Sequence, residues 1–380
     1  MFWFWIFLMV FTVQMCFAYA YRFRAERIKV HAAQEYPPVS ILVCAKNEAQ
    51  NLMAHLPLLL HQQYPNPNWE LVVVNDASTD DTAELLLRFA IEYPQLRVVH
   101  IDVEEQRNFP GKKYALQQGL AACRHEVVLL TDADCTPTTE HWMSRMTDAY
   151  LTRRAEYGAP GIFVLGYGAY SADNSLLQWF VAWETLHTFM QYTSWAKMGL
   201  PYMGVGRNLM YEKTPVLQLM QHQDFALQFS STASGDDDLI VSALANAANT
   251  IVCMDAEAHT MSLPPDNWQR WWRQKSRHLS SGKYYAGPVK FGLALYALSS
   301  FLFWPLAIIL LIFSQSLLQS IVLFLLILRL LAFWANGLRW ARGLGNTKKM
   351  LLYPLGEWMW LIYNLILSPY IFWKNKQQWK

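Results

Sequence analysis

Asp132 and Asp134, two carboxylates separated by one residue in the string EVVLLTDAD, come directly after the apolar run Val127 to Leu130. Acids at the end of a buried strand project from a sheet edge where ligands bind, and paired carboxylate oxygens suit a hard cation such as Mg²⁺ or Mn²⁺. Such a cation completes its shell with water and phosphate oxygens, so a nucleotide diphosphate is the natural partner. An isolated pair of this kind reads more simply as a solvated turn or helix cap; the apolar run before it favours the metal. Asp76 ends a second apolar run, ELVVVND, where a carboxylate can accept from a base N–H or a ribose hydroxyl. Asp80 and Asp81 behind it read as helix-start acids, with Ser78-Thr79 as the cap. Asp236, Asp237 and Asp238 follow Gly235 and precede Leu239-Ile240-Val241, a charge cluster that also complements a helix dipole.

These acids need a scaffold, and the sequence between residues 38 and 135 describes one. Ser40 to Cys44, Glu70 to Val74, Leu96 to Ile101 and Glu126 to Leu130 are short runs rich in Val, Ile and Leu, as strands buried on both faces are. Between them, Glu48 to Gln63, Asp80 to Tyr93 and Lys112 to Cys123 carry apolar residues at helical spacing. Strict alternation predicts βαβ units in an α/β, doubly wound parallel sheet with its ligand at the carboxyl ends of the strands. Thr138-Thr139-Glu140 reads as a further helix start, Gly161 to Tyr170 as a glycine-rich strand, and Leu176 to Tyr202 as an aromatic segment that is either core or a lip for a lipid. No Pro, Gly or Ser linker divides residues 38 to 288, which read as one domain.

The chain of 380 residues is 53% hydrophobic and 15% aromatic, which excludes a disordered or collagenous protein. Residues 1 to 21 and 291 to 328 contain no Asp, Glu, Lys or Arg, the mark of membrane-spanning helices. The C-terminal part resolves into about three hydrophobic segments, 289 to 313, 316 to 337 and 350 to 373, so the division is an N-terminal anchor (1–21), a cytosolic domain (38–288) and a membrane region (289–373). Arg22, Arg24, Arg27 and Lys29 follow the first span, and the four bases of Arg339 to Lys349 follow another; by the positive-inside rule the domain faces the cytosol. Pro354, Glu357 and Pro369 make the last segment irregular, and the terminal Lys374, Lys376 and Lys380 conflict with a simple crossing. The five cysteines form no CxxC or zinc spacing, consistent with reduced thiols. Residues 22 to 288 hold 22 bases and 28 acids, so nucleic acid is disfavoured as a partner.

The ordered strings VSILVCAKNEAQNL, ELVVVNDASTDDT, FPGKKYALQQGL, VVLLTDAD, SGDDDLIVSAL and WWRQKSRHLSSG resemble the inverting family 2 glycosyltransferases of GT-A fold, above all membrane-bound members of the polysaccharide-synthase and ceramide-glucosyltransferase type. The resemblance covers residues 38 to 282 and implies a mixed GT-A sheet flanked by transmembrane helices. It also implies transfer of a sugar from a nucleotide-diphosphate donor, of the UDP-sugar type, at the cytosolic membrane face. Residue by residue, it implies that Ala45 and Glu48 hold the nucleoside, Asp76 the base, and Gly111 and Lys112 the base and diphosphate. Asp132 and Asp134 match its DxD, the second as the more direct metal ligand. Gly235-Asp236-Asp237 matches its GDD element, making Asp237 the general base with Asp236 next. Gln274 and Arg277 match Q-x-x-R-W, with His278 where Trp is usual, and Arg277 would stabilise the leaving diphosphate. Gly206 and Asn208, with His278, fall beside the acceptor site by the same resemblance.

The bland alternative for residues 268 to 278, a basic aromatic helix lying on the membrane, is compatible with the catalytic one if the two use opposite faces. Transfer of one sugar to a lipid or lipid-like hydroxyl is expected, with a processive polysaccharide synthase and a catalytically dead nucleotide-binding scaffold as alternatives. A transporter is disfavoured because the membrane segments are read as lacking charge pairs. Oligomeric state is left open.

Overall fold

The computed structural model describes residues 1–23, 28, 35–171, 175–232, 234–345 and 347–371. Arg24, Arg27, Lys29, Lys374, Lys376 and Lys380, which bear on the orientation argument, lie outside the described residues.

The alternating segment forms β1 (Val39–Ala45), α2 (Ala49–Leu60), β2 (Trp69–Asp76), α3 (Thr82–Glu92), β3 (Leu96–Ile101), α4 (Lys112–Ala122) and β4 (Val127–Asp132), preceded by α1 (Phe2–Ala20). Every residue of β1 is buried, which explains why it reads as an unbroken apolar run. The chain continues through β5 (Cys135–Pro137), α5 (Trp142–Tyr157), β6 (Phe163–Leu165), β7 (Gly168–Tyr170) and α6 (Leu176–Lys197). Next come β8 (Leu209–Glu212), α7 (Lys213–Gln221), α8 (Gln223–Ser230), α9 (Asp238–Leu244), β9 (Thr250–Val252) and β10 (Thr260–Ser262). The last helices are α10 (Trp268–His278), α11 (Gly287–Phe313), α12 (Ser316–Gly343) and α13 (Tyr353–Ile371).

The main sheet has the order β3-β2-β1-β4-β8-β6-β9. β1 to β4 are parallel, whereas β8 runs antiparallel to both β4 and β6, so the sheet is mixed rather than wholly parallel. A small second sheet, β5-β10-β7, lies beside it. The single strand expected over Gly161 to Tyr170 is two: the chain leaves the main sheet after Leu165 and joins the small one at Gly168. The helix expected from Thr138 begins at Trp142, because Thr138 and Thr139 hydroxyls donate to the carbonyls of His259 and Glu257 instead.

Among the described residues three helices are long and apolar enough to cross a membrane: α1, α11 and α12. α13 packs on α6 and α10, with Tyr363 against Phe180 of α6 and Trp271 of α10. A charge pair does lie within the segments read from the sequence as hydrophobic membrane segments, contrary to expectation. Arg329 of α12, fully buried, donates to Glu357 of α13 at 2.6 Å and to Gln14 of α1 at 2.6 Å. Gln14 also donates to Ser299 of α11 at 2.7 Å. The second Glu357 oxygen meets Arg329 as an ion pair without an aligned hydrogen bond, and the network joins α1, α11, α12 and α13.

Candidate functional site

Strand register assembles the site. Cys44 of β1 pairs with Val74 on one side and Asp132 on the other, which sets Ala45, Asp76 and Asp132 along one sheet edge. β8 begins opposite the end of β4, Leu209 against Leu130, and so delivers Gly206, Arg207 and Asn208 to the same edge. The turns after β1 and β2 each contain a left-handed residue, Asn47 (φ 55°) and Ala77 (φ 49°). Such a conformation costs an alanine about 1–3 kcal/mol and persists where the surroundings impose it. Here the turns are stitched together: the Asn47 amide donates to Ser78 Oγ at 2.9 Å, and the Thr79 amide donates to Asn47 Oδ1 at 2.7 Å. Ser78 and Thr79 are thereby used between loops, and Asp80 caps α3 by accepting the Thr82 amide at 3.1 Å.

Asp76 is fully buried. The Arg107 guanidinium comes within 2.6 Å of it, yet neither carboxylate oxygen receives an aligned hydrogen bond. A buried carboxylate in that state lacks the N–H donors that would offset its desolvation. Glu48 lines the adjoining cleft and accepts from Asn51 at 2.6 Å. Gly111 (φ 59°, ψ −135°) adopts a backbone conformation suited to glycine just before α4, and this turn aims Lys112 at the acids.

Lys112 Nζ lies 2.5 Å from Asp132 Oδ1 and 3.3 Å from Asp236 Oδ2, joining the two acid clusters. Burial disfavours its charge, but Asp132 and Asp236 outweigh burial and hold its pKa well above the lysine range. Asp236 is pushed up by burial and pulled lower overall by Lys112 and Lys113. Asp237 is raised to about 6 by burial and by the Asp236 charge, against the opposing pull of Lys112 and two backbone amides. Those amides, Gly206 at 2.6 Å and Asp238 at 2.9 Å, fix its carboxylate. Asp238 accepts from Ser281 and Tyr285, each at 2.9 Å, and so anchors the segment after α10.

Ligand atoms of Asp132, Asp134 and Cys135 lie within 4.8 Å of one another. Burial, then the charges of Asp132 and Glu48, raise the pKa of Asp134, a repulsion that a divalent cation between the carboxylates would relieve. Burial also drives the Cys135 thiol far above its ordinary range, so it stays protonated and the two carboxylates are the fitting donors for a hard cation.

The acids face a cavity of about 760 Å³. Gln274 donates to Tyr170 Oη at 3.0 Å on its wall, and Gly206, Arg277 and His278 line it as well. Asn208, expected beside the acceptor, is instead a buried brace. Its Oδ1 accepts from Trp142 at 3.0 Å and its Nδ2 donates to the carbonyls of Tyr167 and Ala258, leaving no group for a ligand.

Residues 40–195 match the profile of Glycosyl transferase family 2. They are a family 2 glycosyltransferase domain. The chain is 27% identical over 255 residues to the Bacillus subtilis protein named "Probable glycosyltransferase YdaM", covering 66% of this chain and 56% of that one. It is 37% identical over 98 residues to a beta-monoglucosyldiacylglycerol synthase of Nostoc sp., covering 26% of this chain and 20% of that one. The chain thus spans from a fifth to just over half of these relatives' own length. A mannosyltransferase from Pyrobaculum calidifontis, solved with GDP-Man and Mn²⁺, superposes with a TM-score of 0.53 over 93% of this chain and 96% of that chain at 15% identity, a likeness of fold alone. The fold is GT-A, mixed sheet included.

The matched glycosyltransferase region holds Asp76, Lys112 and the DxD; Asp237, Gln274 and Arg277 lie beyond it and reach the same cleft. Arg107 and Glu184 carry no role in the sequence-based expectations, whereas Arg207 belongs to the Gly204 to Asn208 segment expected beside the acceptor. Arg107 faces Asp76 from 31 residues away, and no local pattern marks it. Arg207 stacks 4.2 Å over Tyr170 and offsets the Asp134 charge. Glu184 ion-pairs with Lys275 of α10 and accepts from Tyr363 of α13 at 3.1 Å. A signal for it existed: it is the one charged residue between 176 and 196.

Proposed function

We propose that this chain is a membrane-bound, metal-dependent, inverting glycosyltransferase that moves one sugar from a nucleotide-diphosphate sugar, of the UDP-sugar type, to a lipid-borne hydroxyl at the cytosolic face. The observation that carries the reading is the single cleft in which Lys112 joins the DxD acid Asp132 to Asp236, next to a raised carboxylate at Asp237. Ala45, Glu48 and Asp76, whose carboxylate faces Arg107 without an aligned hydrogen bond, hold the nucleoside, Asp76 accepting a base N–H. Gly111 and Lys112 meet the base and diphosphate. Asp132 and Asp134 would hold Mg²⁺ or Mn²⁺, whose chemistry there is to neutralise charge building on the leaving diphosphate. Arg277 adds a fixed cation to the same end, and Gln274 shapes the wall. Asp237 takes the proton of the acceptor hydroxyl as its oxygen bonds to the anomeric carbon from the face opposite the donor. The bond from that carbon to the diphosphate oxygen breaks in the same displacement, the nucleoside diphosphate carries off the electron pair, and the configuration inverts. Gly206 steadies the base, and His278 flanks the acceptor. The three apolar helices and α13 keep this cleft at the membrane.

A panel of nucleotide sugars, assayed for nucleoside diphosphate release by the full chain in lipid with Mg²⁺, Mn²⁺ or EDTA, tests the reading. Release from one donor class, abolished by EDTA, is expected; release insensitive to EDTA contradicts the metal assignment, and no release from any donor contradicts the function.

A further inference from the structure

The cleft extends past the reacting groups. From Tyr192 and Tyr202 it runs beneath α6 to Lys290 and Leu293 of α11 and to Trp360, Tyr363 and Asn364 of α13. Lys290 and Leu293 stand one turn apart, as do Trp360 and Asn364, so each helix lends one face to the cavity. Trp360 lines the cavity, its ring 5.7 Å from Tyr296 of α11 and 5.7 Å from His187 of α6. The polar side of this arm is basic. Arg277, Lys283 and Lys290 line it, and Lys290 Nζ donates to the Lys283 carbonyl at 3.4 Å. Glu184, the acid on this stretch, is committed to Lys275 and Tyr363.

We propose that this arm is an acceptor subsite for a lipid carrying a phosphate between its hydrocarbon tail and its sugar-accepting hydroxyl. The tail lies over Leu293 and Trp360 between α11 and α13, the phosphate meets Lys283 and Lys290, and the hydroxyl reaches Asp237. Two features select this occupant over a neutral glyceride. The apolar stretch is continuous with helices suited to a bilayer, and Lys283 and Lys290 line the same cavity, where an anionic link complements them. The hydroxyl end of the proposal rests on the glycosyltransfer reading; the tail and phosphate ends do not.

The full chain in phosphatidylcholine nanodiscs is irradiated with trace phosphatidylglycerol bearing a diazirine in its acyl chain, or with the matching diacylglycerol, and adducts are mapped by residue. The phosphatidylglycerol probe is expected to label the Leu293 and Trp360 faces. That labelling should fall by about tenfold in Lys283→Glu/Lys290→Glu, the effect of losing charge-assisted contacts. It should persist in Lys283→Arg/Lys290→Arg, and Leu293→Trp should block it with the melting temperature retained. Equal labelling by the two probes, or adducts only on outward residues such as Phe324, overturns the subsite. Selective labelling in a protein that releases no nucleotide from any donor leaves the subsite standing and removes the glycosyltransfer reading; donor turnover with unselective labelling removes the subsite alone.

Discussion

The Gly206 amide donates to Asp237 Oδ2 at 2.6 Å, tying the start of α9 to the segment that enters β8. Through this bond the mixed half of the sheet carries the proposed base to the edge where β1, β2 and β4 end. The fold and the proposed chemistry meet at that contact.

A proton acceptor must be deprotonated, and the pKa of Asp237 is raised to about 6 by burial and by Asp236. Turnover should therefore fall as pH drops through about 6 and level off above it. Asp236→Asn removes a like charge, so the acid limb should move to lower pH. A pH–kcat series on both proteins checks this, and an unmoved limb in the variant would assign the titration to another group.

Asp134→Asn removes one of two carboxylates proposed to hold the cation. The Mn²⁺ concentration for half-maximal turnover should rise by about tenfold or more, on the scale of losing one charged contact. A metal titration of initial rates reads it out, and Cys135→Ser should leave that titration within about twofold because the buried thiol stays protonated.

The parallel half of the sheet was legible because strands such as β1, buried along their whole length, must be apolar throughout. The place of Asp76 and Asp132 at the sheet edge was legible because each closes a strand that is apolar before it. Gly161 to Tyr170 misled because two three-residue strands in different sheets share one composition. Asn208 misled because its small-residue neighbourhood does not reveal that Trp142, 66 residues away, takes its carbonyl oxygen. The Arg329 brace joins residues 315 and 28 positions away, separations at which no periodicity acts.

Removing one member of the buried Arg329–Glu357 pair strands the other charge. Arg329→Met alone should destabilise the protein by about 3–5 kcal/mol, and Arg329→Met/Glu357→Met should recover much of that loss. Thermal melts in detergent for the four members of the cycle measure the coupling; additive losses would mean the pair does not act as a unit.

Gly235 stands at φ +83°, and a Cβ there would lie 2.8 Å from Ser281 Cβ. Gly235→Ala should lower stability by about 1–3 kcal/mol from backbone strain alone, and should also displace Asp236 to Asp238. A melting temperature that falls together with donor turnover is expected, whereas an unchanged melting temperature would count against the strain.

The central claim is transfer of one sugar with Asp237 as the base. Membranes holding the full chain or Asp237→Asn are given an isotopically labelled nucleotide sugar, and their lipids are analysed by mass spectrometry. The account predicts a lipid that gains a single labelled sugar in the wild type, with a yield lower by about 10²–10⁴-fold in the variant. A ladder of added sugars, or equal yields from both proteins, would contradict it.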